Sequence, residues 1–171
     1  MNTPETFDFI VVGGGSSGCV IASRLSEDAG VRVALLEAGP ADTSQLLHIP
    51  VGAVAYVPRR NRYNWAFKTV PQVGLNGRCG YQPRGRTLGG SSAINAMCYI
   101  RGHRADYDGW AALGNVGWSF DDVLPYFKRA EHNQRGADAY HGVGGPLAVS
   151  DLRSPNPVGR AFIAAAVETG L

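Results

Sequence analysis

The chain has 171 residues, 44% of them apolar and 18% charged, and its formal net charge at neutral pH is +2. This length suits one modest hydrophobic core, and the composition is that of an ordinary soluble globular protein. The small net charge excludes a broad nucleic-acid-binding footprint, and no apolar run approaches the ~18 residues that span a bilayer. Without a basic flank typical of a secretory signal, the N-terminus predicts a cytoplasmic protein, with peripheral attachment to the inner membrane face as the alternative.

The first predicted elements are a strand, a glycine-rich turn and a helix. A buried-strand pattern near Asp8–Gly13 runs directly into G-x-G-x-x-G, and a helix is expected over Ser16–Ala29. In this motif Gly13 allows a tight turn, Gly15 lets the backbone approach a pyrophosphate, and Gly18 lets the helix pack closely on the strand. The pattern therefore predicts a dinucleotide site, with a structural glycine turn as the alternative.

A second predicted strand, near Arg32–Glu37, ends on an acidic residue. Glu37 lies nineteen positions after Gly18 and can accept hydrogen bonds from an adenosine ribose. The diphosphate would then lie at the helix N-terminus near Ser16 and Ser17, where unpaired N–H groups and the helix dipole favour negative charge. An acid at this position is consistent with NAD or FAD and argues against the 2′-phosphate of NADP.

The later elements are predicted from turn and capping residues. The region from Pro40 to about Gly80 is loop-rich. The other expected elements are short pieces around 45–57 and 65–70, a helix of a turn or two from Asn95, a helix from Phe120 capped by Ser119, a strand over 147–149 and a helix from Pro157 to Thr169.

A second glycine-rich segment carries a more specific signal. Residues 85–102 read GRTLGGSSAINAMCYIRG, and Asp108 follows six residues on. This stretch resembles the first signature of the glucose–methanol–choline (GMC) oxidoreductases, flavin enzymes that oxidise alcohols, and the resemblance extends over essentially the whole chain. The run Ile100-Arg101-Gly102-His103 is most similar to the branch of the choline and alkanol dehydrogenases.

The resemblance implies an α/β fold, a Rossmann-like FAD-binding βαβ unit with additional loops and helices, incomplete without a C-terminal part. Residues 1–145 would be the N-terminal part of the FAD-binding domain, and 146–171 the start of the substrate-binding domain. The family's catalytic base is a histidine near the C-terminal end, and no residue here matches its motif. We therefore assign no catalytic residue and expect this chain alone to be inactive.

FAD is the cofactor that the resemblance implies. In the family the Leu88–Ser92 segment passes along the flavin, and two glycines and two hydroxyls suit close approach to a ring or phosphate. Ile94 stands where some choline-oxidising relatives carry a histidine bonded to the flavin, so the FAD is expected to be non-covalent. The expected cofactor-binding residues are Gly13, Gly15, Ser16, Ser17, Gly18, Glu37, Ala38, Trp65, Leu88, Gly90, Ser91, Asn95, Ala96 and Met97.

Several of these residues also have a structural interpretation. Trp65 could fill a core instead of covering a cofactor, and Arg84 and Arg86 could offset flavin charge or be solvated surface residues. The cysteines and histidines show no metal-ligand spacing, and without a G-x-S-x-G elbow a serine hydrolase is not expected. The basic run Pro58–Arg62 predicts a solvated loop, with an acidic partner or a membrane as alternatives.

The sequence thus predicts the FAD-binding portion of an alcohol oxidoreductase. Its substrate would be a small-molecule primary alcohol such as choline or an alkanol, and a quinone or similar acceptor would take the electrons. The alternatives are a catalytically inactive truncated fragment, a lyase or photodecarboxylase on the same scaffold, and NAD in place of FAD.

Overall fold

The computed structural model describes residues 5–170, which form two compact units, one up to Cys98 and one from Tyr99 onward. In the first unit β1 (Phe9–Val12) pairs in parallel with β2 (Val33–Leu36), and α1 (Ser16–Leu25) connects them. The chain order of strand, glycine turn, helix and parallel strand confirms the predicted α/β class and its Rossmann-like βαβ unit.

The helix α1 ends at Leu25, earlier than the predicted Ala29. The residues beyond it satisfy one another locally, since the Ser26 hydroxyl donates to the Ser23 carbonyl and the Asp28 carboxylate accepts from the Gly30 N–H. Such short polar side chains compete with helix continuation, and this competition explains the early end.

The rest of the first unit is built from short pieces, as predicted for the loop-rich region. They are the 3₁₀ turns Gln45–His48, Pro50–Gly52, Val73–Leu75 and Gly90–Ala93, the helix α2 (Ala53–Tyr56), and the antiparallel strands β3 (Phe67–Lys68) and β4 (Tyr81–Gln82).

The helix predicted from Asn95 is wrong. The helical turn comes earlier, at Gly90–Ala93, and the following residues up to His103 have no regular structure. Asn95 accepts a hydrogen bond from the Met97 N–H at 2.8 Å, and Met97 has a φ of 57°. A left-handed residue at that point is incompatible with a right-handed helix.

The second unit contains α3 (Arg104–Ala112), α4 (Phe120–Ala130), the parallel pair β5 (Glu131–Asn133) and β6 (Leu147–Val149), and α5 (Pro157–Glu168). The predicted caps are confirmed. Ser119 and Asp122 form a reciprocal capping box on α4, and the Asn156 side chain accepts from the Val158 N–H at 2.9 Å.

A buried ion pair organises this second unit. Glu131 is fully buried and is bonded to the guanidinium of Arg101, which also lies 5.0 Å from the ring centroid of Phe127. The Asn133 amide donates to the same carboxylate at 2.7 Å. Because a buried charge without a partner is costly, each member of this pair requires the other.

The domain boundary predicted between residues 145 and 146 stays a prediction. It concerns the domains of longer family members, whereas the division into two compact units falls in the sequence between Cys98 and Tyr99. Over residues 5–170, every helix is too short or too polar to cross a lipid bilayer.

The turn before β6 provides a pH-dependent contact. The Asp138 carboxylate bonds to the His141 ring nitrogen at 2.9 Å and accepts from the Tyr140 and His141 N–H groups at 2.7 and 2.6 Å. These bonds, that to the His141 ring first, lower the pKa of Asp138 from its ordinary 3.8 to about 2.

We expect the Asp138 carboxyl carbon to titrate near a pKa of about 2 when followed by NMR. Because the folded-state pKa is lowered, the contribution of this turn to stability is complete above 3.8 and is lost as the pH falls toward 2. The Tyr140 and His141 amide resonances should move in the same step, and Asp138→Asn should abolish it. A midpoint at the ordinary value would contradict these bonds.

Candidate cofactor-binding site

The two glycine-rich turns lie in direct contact. The Gly89 N–H donates to the Gly14 carbonyl oxygen at 2.7 Å, and a Cβ built on Gly90 would lie only 2.7 Å from the Cα of Gly15. Gly90 also has a positive φ of 56°. Packing and backbone conformation therefore both require glycine at position 90.

Within the first turn, Gly13 and Gly18 are required by the fold itself. Gly13 has a φ of 98°, and a Cβ on Gly18 would lie 1.9 Å from the Gly13 carbonyl oxygen. The third glycine of the motif thus allows α1 to approach the turn, as its spacing predicts.

Gly15 has no such internal reason to be glycine. Its φ is −77°, which any residue adopts, and a Cβ built on it would meet no atom of residues 5–170 within 4 Å. A side chain there would enter open space along the wall of a cleft. A backbone position left open in this way fits the close approach of a diphosphate.

The N-terminus of α1 has the electrostatics that a diphosphate requires. No side chain caps it and its first turn holds no acidic residue. Across residues 5–170, the N–H groups of Ser16, Ser17 and Gly18 have no backbone acceptor. Free N–H groups at the positive end of a helix dipole form an anion site.

Two clefts with volumes of about 610 and 510 Å³ share the wall formed by these turns. Such volumes are within the range of about 300–1,000 Å³ typical of small-molecule sites. Most predicted cofactor residues line one or both clefts: Gly13, Gly15, Ser16, Ser17, Gly18, Glu37, Ala38, Trp65, Gly90 and Ser91.

Four predicted residues lie elsewhere. Leu88 packs beside the first turn, with its Cδ1 3.2 Å from where a Cβ on Gly14 would be. Asn95, Ala96 and Met97 are exposed and line neither cleft. Their role toward a flavin stays a prediction.

The carboxylate of Glu37 is engaged with the backbone of both neighbouring turns. Its Oε2 accepts from the Gly14 N–H and its Oε1 from the Gly39 N–H, each at 2.8 Å. Because each carboxylate oxygen can accept more than one hydrogen bond, Glu37 can still bind ribose hydroxyls where it lines the smaller cleft.

Trp65 is half-buried and lines both clefts, and its role toward a cofactor stays a prediction. Its ring stacks on Phe67 with centroids 5.7 Å apart, and the Arg86 guanidinium lies 4.6 Å from its centroid. Among the described residues, the buried Nε of Arg86 has no hydrogen-bond partner. Arg84, in contrast, reaches the wall of the larger cleft.

Sequence reasoning missed Asn64, which positions Trp65. Asn64 is fully buried, and its Nδ2 lies 3.0 Å from both the Tyr56 carbonyl and the Tyr81 hydroxyl. Its Oδ1 accepts from the Ala66 and Arg84 N–H groups at 2.9 and 3.1 Å. No spacing rule marks this residue, because its partners come from three separate segments.

Ile94, from which the sequence predicts non-covalent FAD, is a core residue with 5% of its surface exposed. The histidines have local structural partners: His103 caps α3, the His132 ring accepts from the Gly144 N–H, and His141 pairs with Asp138. In the described part of the chain, no group of three His, Cys, Asp or Glu side chains could hold a metal ion.

Comparison with known proteins defines the class. The family model for the GMC oxidoreductases matches residues 7–171. The chain is 52% identical to the alcohol dehydrogenase [acceptor] of Pseudomonas putida and 45% identical to human mitochondrial choline dehydrogenase, over 95% and 97% of its length. The crystal structure of pyridoxine 4-oxidase from Mesorbium loti has 40% identity and a TM-score of 0.87, covering 97% of this chain and 33% of that one.

The chain therefore belongs to the GMC oxidoreductase family and has the fold of its N-terminal FAD-binding part. This confirms the resemblance seen in the sequence, including its similarity to choline and alcohol dehydrogenases. The chain spans 29% of the length of each of these two relatives.

We expect Asn64→Ala to lower the free energy of unfolding by about 3 kcal/mol or more, since each buried polar group left unpaired costs about 1–3 kcal/mol. Trp65 should also become more accessible to a fluorescence quencher. Urea unfolding and acrylamide quenching of the purified chain measure the two effects. Gln45→Ala, at an exposed residue whose side chain makes no hydrogen bond among the described residues, is the control. Equal stability of the two variants would contradict the role of Asn64.

Proposed function

We propose that this chain binds FAD non-covalently across the two clefts and forms the cofactor-binding part of an alcohol oxidoreductase. The observation that carries the proposal is Gly15, a glycine that neither its backbone angles nor its packing explains. Family membership supports the same assignment, and the buried aliphatic side chain of Ile94 offers no atom for a covalent flavin bond.

Each part of the site has a distinct task toward the cofactor. Glu37 accepts from the ribose hydroxyls, while the N–H groups of Ser16, Ser17 and Gly18 hold the diphosphate. Gly90 and Trp65 form the wall against which a flat ring packs. When bound, FAD supplies the ring that accepts a hydride from the alcohol carbon.

The substrate and acceptor are proposed from the relatives. Their names, an alcohol dehydrogenase with an acceptor and a choline dehydrogenase, support a small primary alcohol such as choline or an alkanol. We propose a quinone or similar molecule as the acceptor, and a cytoplasmic location. Since the chain spans 29% of these relatives, the reaction belongs to a protein that also contains the base for the hydroxyl proton.

Gly15→Ala tests the site without disturbing the fold. We expect the variant to keep the unfolding midpoint of the parent chain but to bind FAD at least tenfold more weakly, because the new methyl occupies the space that the diphosphate approaches. Equilibrium dialysis with FAD measures the affinity. Gly74→Ala is the matched control, since a Cβ there also meets nothing within 4 Å. Unchanged FAD affinity in Gly15→Ala would contradict the proposal.

A second experiment separates binding from catalysis. We expect FAD bound to this chain to keep its yellow absorption band when choline or an alkanol is added without oxygen, because no residue here is assigned as the base. Dithionite, which reduces flavin directly, should bleach the same sample and serves as the control. Alcohol-dependent bleaching would show that the 171 residues are catalytically sufficient. Mass spectrometry of the heat-released cofactor distinguishes FAD from NAD.

A further inference from the structure

Arg84 carries the charge of the larger cleft. It lines that cleft together with Ser16, Ser17 and Gly18 at the N-terminus of α1, and among the described residues of the wall it is the one charged side chain. It does not line the smaller cleft, where Glu37 lies. A cation and the anion site of α1 therefore face the same space, whereas the acidic residue belongs to the other cleft.

The backbone of Arg84 is fixed by the network that also holds Trp65. Its N–H donates to the Oδ1 of the fully buried Asn64 at 3.1 Å, and its carbonyl accepts from the Trp65 N–H at 2.9 Å. An antiparallel bridge between Asn64 and Gly85 continues the same pairing. The point from which the Arg84 side chain extends is thus set by backbone pairing and a buried amide.

The guanidinium of Arg84 has only neutral partners among the described residues. Its Nη1 donates to the Pro83 carbonyl at 2.6 Å, and its Nη2 lies 3.4 Å from the Gln82 Oε1. Within residues 5–170 it forms no ion pair, and the sequence has no acidic residue between Asp42 and Asp106. Because a guanidinium has five N–H donors and a full charge, most of its binding capacity is available to an anion in the cleft.

Arg86, on the other side of Gly85, has a different position. Its guanidinium lies 4.6 Å from the ring centroid of Trp65, and it lines neither cleft. Of these two arginines, Arg84 is therefore the one that a ligand in the larger cleft can contact directly.

We propose that Arg84 binds the diphosphate of FAD together with the free N–H groups of α1. This inference rests on the proposed function and adds a charged residue to it. An arginine presents parallel N–H donors to phosphate oxygens, and such charge-assisted bonds are stronger than those from neutral donors. The diphosphate is the group concerned, since Arg84 shares its cleft with residues 16–18 and the ribose acceptor Glu37 lines the other. A ligand without a diphosphate gains nothing from Arg84.

Substitutions at Arg84 test the proposal by equilibrium dialysis with FAD and with ADP. We expect Arg84→Gln to weaken the binding of both ligands by about tenfold or more at low salt, and Arg84→Lys to recover part of that loss. Raising the salt concentration should weaken FAD binding by the parent chain more than by Arg84→Gln, because salt screens the charge that this variant lacks.

Arg78→Gln is the matched control. Arg78 is also exposed, its Nε also bonds to a backbone carbonyl, that of Leu75, and it lines neither cleft. The control makes the same change of net charge and should bind FAD and ADP as the parent does. Circular dichroism and urea unfolding verify that each variant keeps the fold of the parent.

Pyrophosphate locates the contact without any substitution. In a proton–nitrogen NMR titration of the parent chain, it should shift the Nε–H resonance of Arg84 together with the amide resonances of Ser17 and Gly18. The Nε–H resonance of Arg78 should stay in place. Movement of the two amides without movement of the Arg84 resonance would contradict the proposal.

The binding experiments have three further outcomes that would overturn it. The first is an affinity and salt dependence of Arg84→Gln equal to those of the parent. The second is weaker FAD binding with unchanged ADP binding, since Arg84 would then act on the flavin half of the cofactor. The third is an equal loss in Arg84→Gln and Arg78→Gln, which would mean attraction by net charge alone. A parent chain that binds no FAD would instead contradict the proposed function, so the two failures are distinguishable.

Discussion

The contact between the two glycine turns is the constraint on which the first unit depends. Gly90 lies against the backbone of Gly15, and the Gly89 N–H bonds to the Gly14 carbonyl, so the second turn cannot carry a side chain at Gly90. The same contact closes the base of the long segment that follows β2, residues 39–87, here called the excursion. There, the Thr87 hydroxyl donates to the Pro40 carbonyl at 2.7 Å, and a Cβ on Gly39 would overlap the Arg86 carbonyl oxygen. A loop closed at its base loses less entropy when its interior becomes ordered, so short and weakly paired elements can hold a defined shape there.

That closed excursion supplies what the βαβ unit lacks. The βαβ unit supplies only the anion site at the N-terminus of α1. Trp65, which lines both clefts, belongs to the excursion. Asn64 holds it in place through the carbonyl of Tyr56 and the N–H of Arg84, which belong to separate segments of the excursion. One buried amide thus holds the segment that forms the wall of both clefts.

The parts predicted correctly from the sequence are those whose signals are local. The spacing of Gly13, Gly15 and Gly18 between two apolar runs, and the caps at Ser119 and Asn156, each depend on residues within a turn or two. The helix α3 was missed because its cap is the ring of His103, which is not a usual capping residue. The pairing of Arg101 with the buried Glu131 joins positions thirty residues apart, and no spacing in a single sequence indicates it. The helix expected from Asn95 failed because one left-handed residue outweighs a favourable pattern.

Glu37 has a structural role that its position in the sequence does not indicate. Its position at the end of β2 predicts ribose binding, yet both of its oxygens already accept backbone N–H groups, from Gly14 and Gly39. The carboxylate therefore shapes the glycine turn as well as presenting acceptors to a ligand. A substitution at Glu37 would remove both roles together, so weaker FAD binding in such a variant could reflect a distorted turn. Gly15 has no intramolecular role of this kind, since its Cβ position is free and its backbone angles are ordinary. A change there reports on the ligand alone, and for that reason the assignment of the site depends on Gly15 more than on the charged residue beside it.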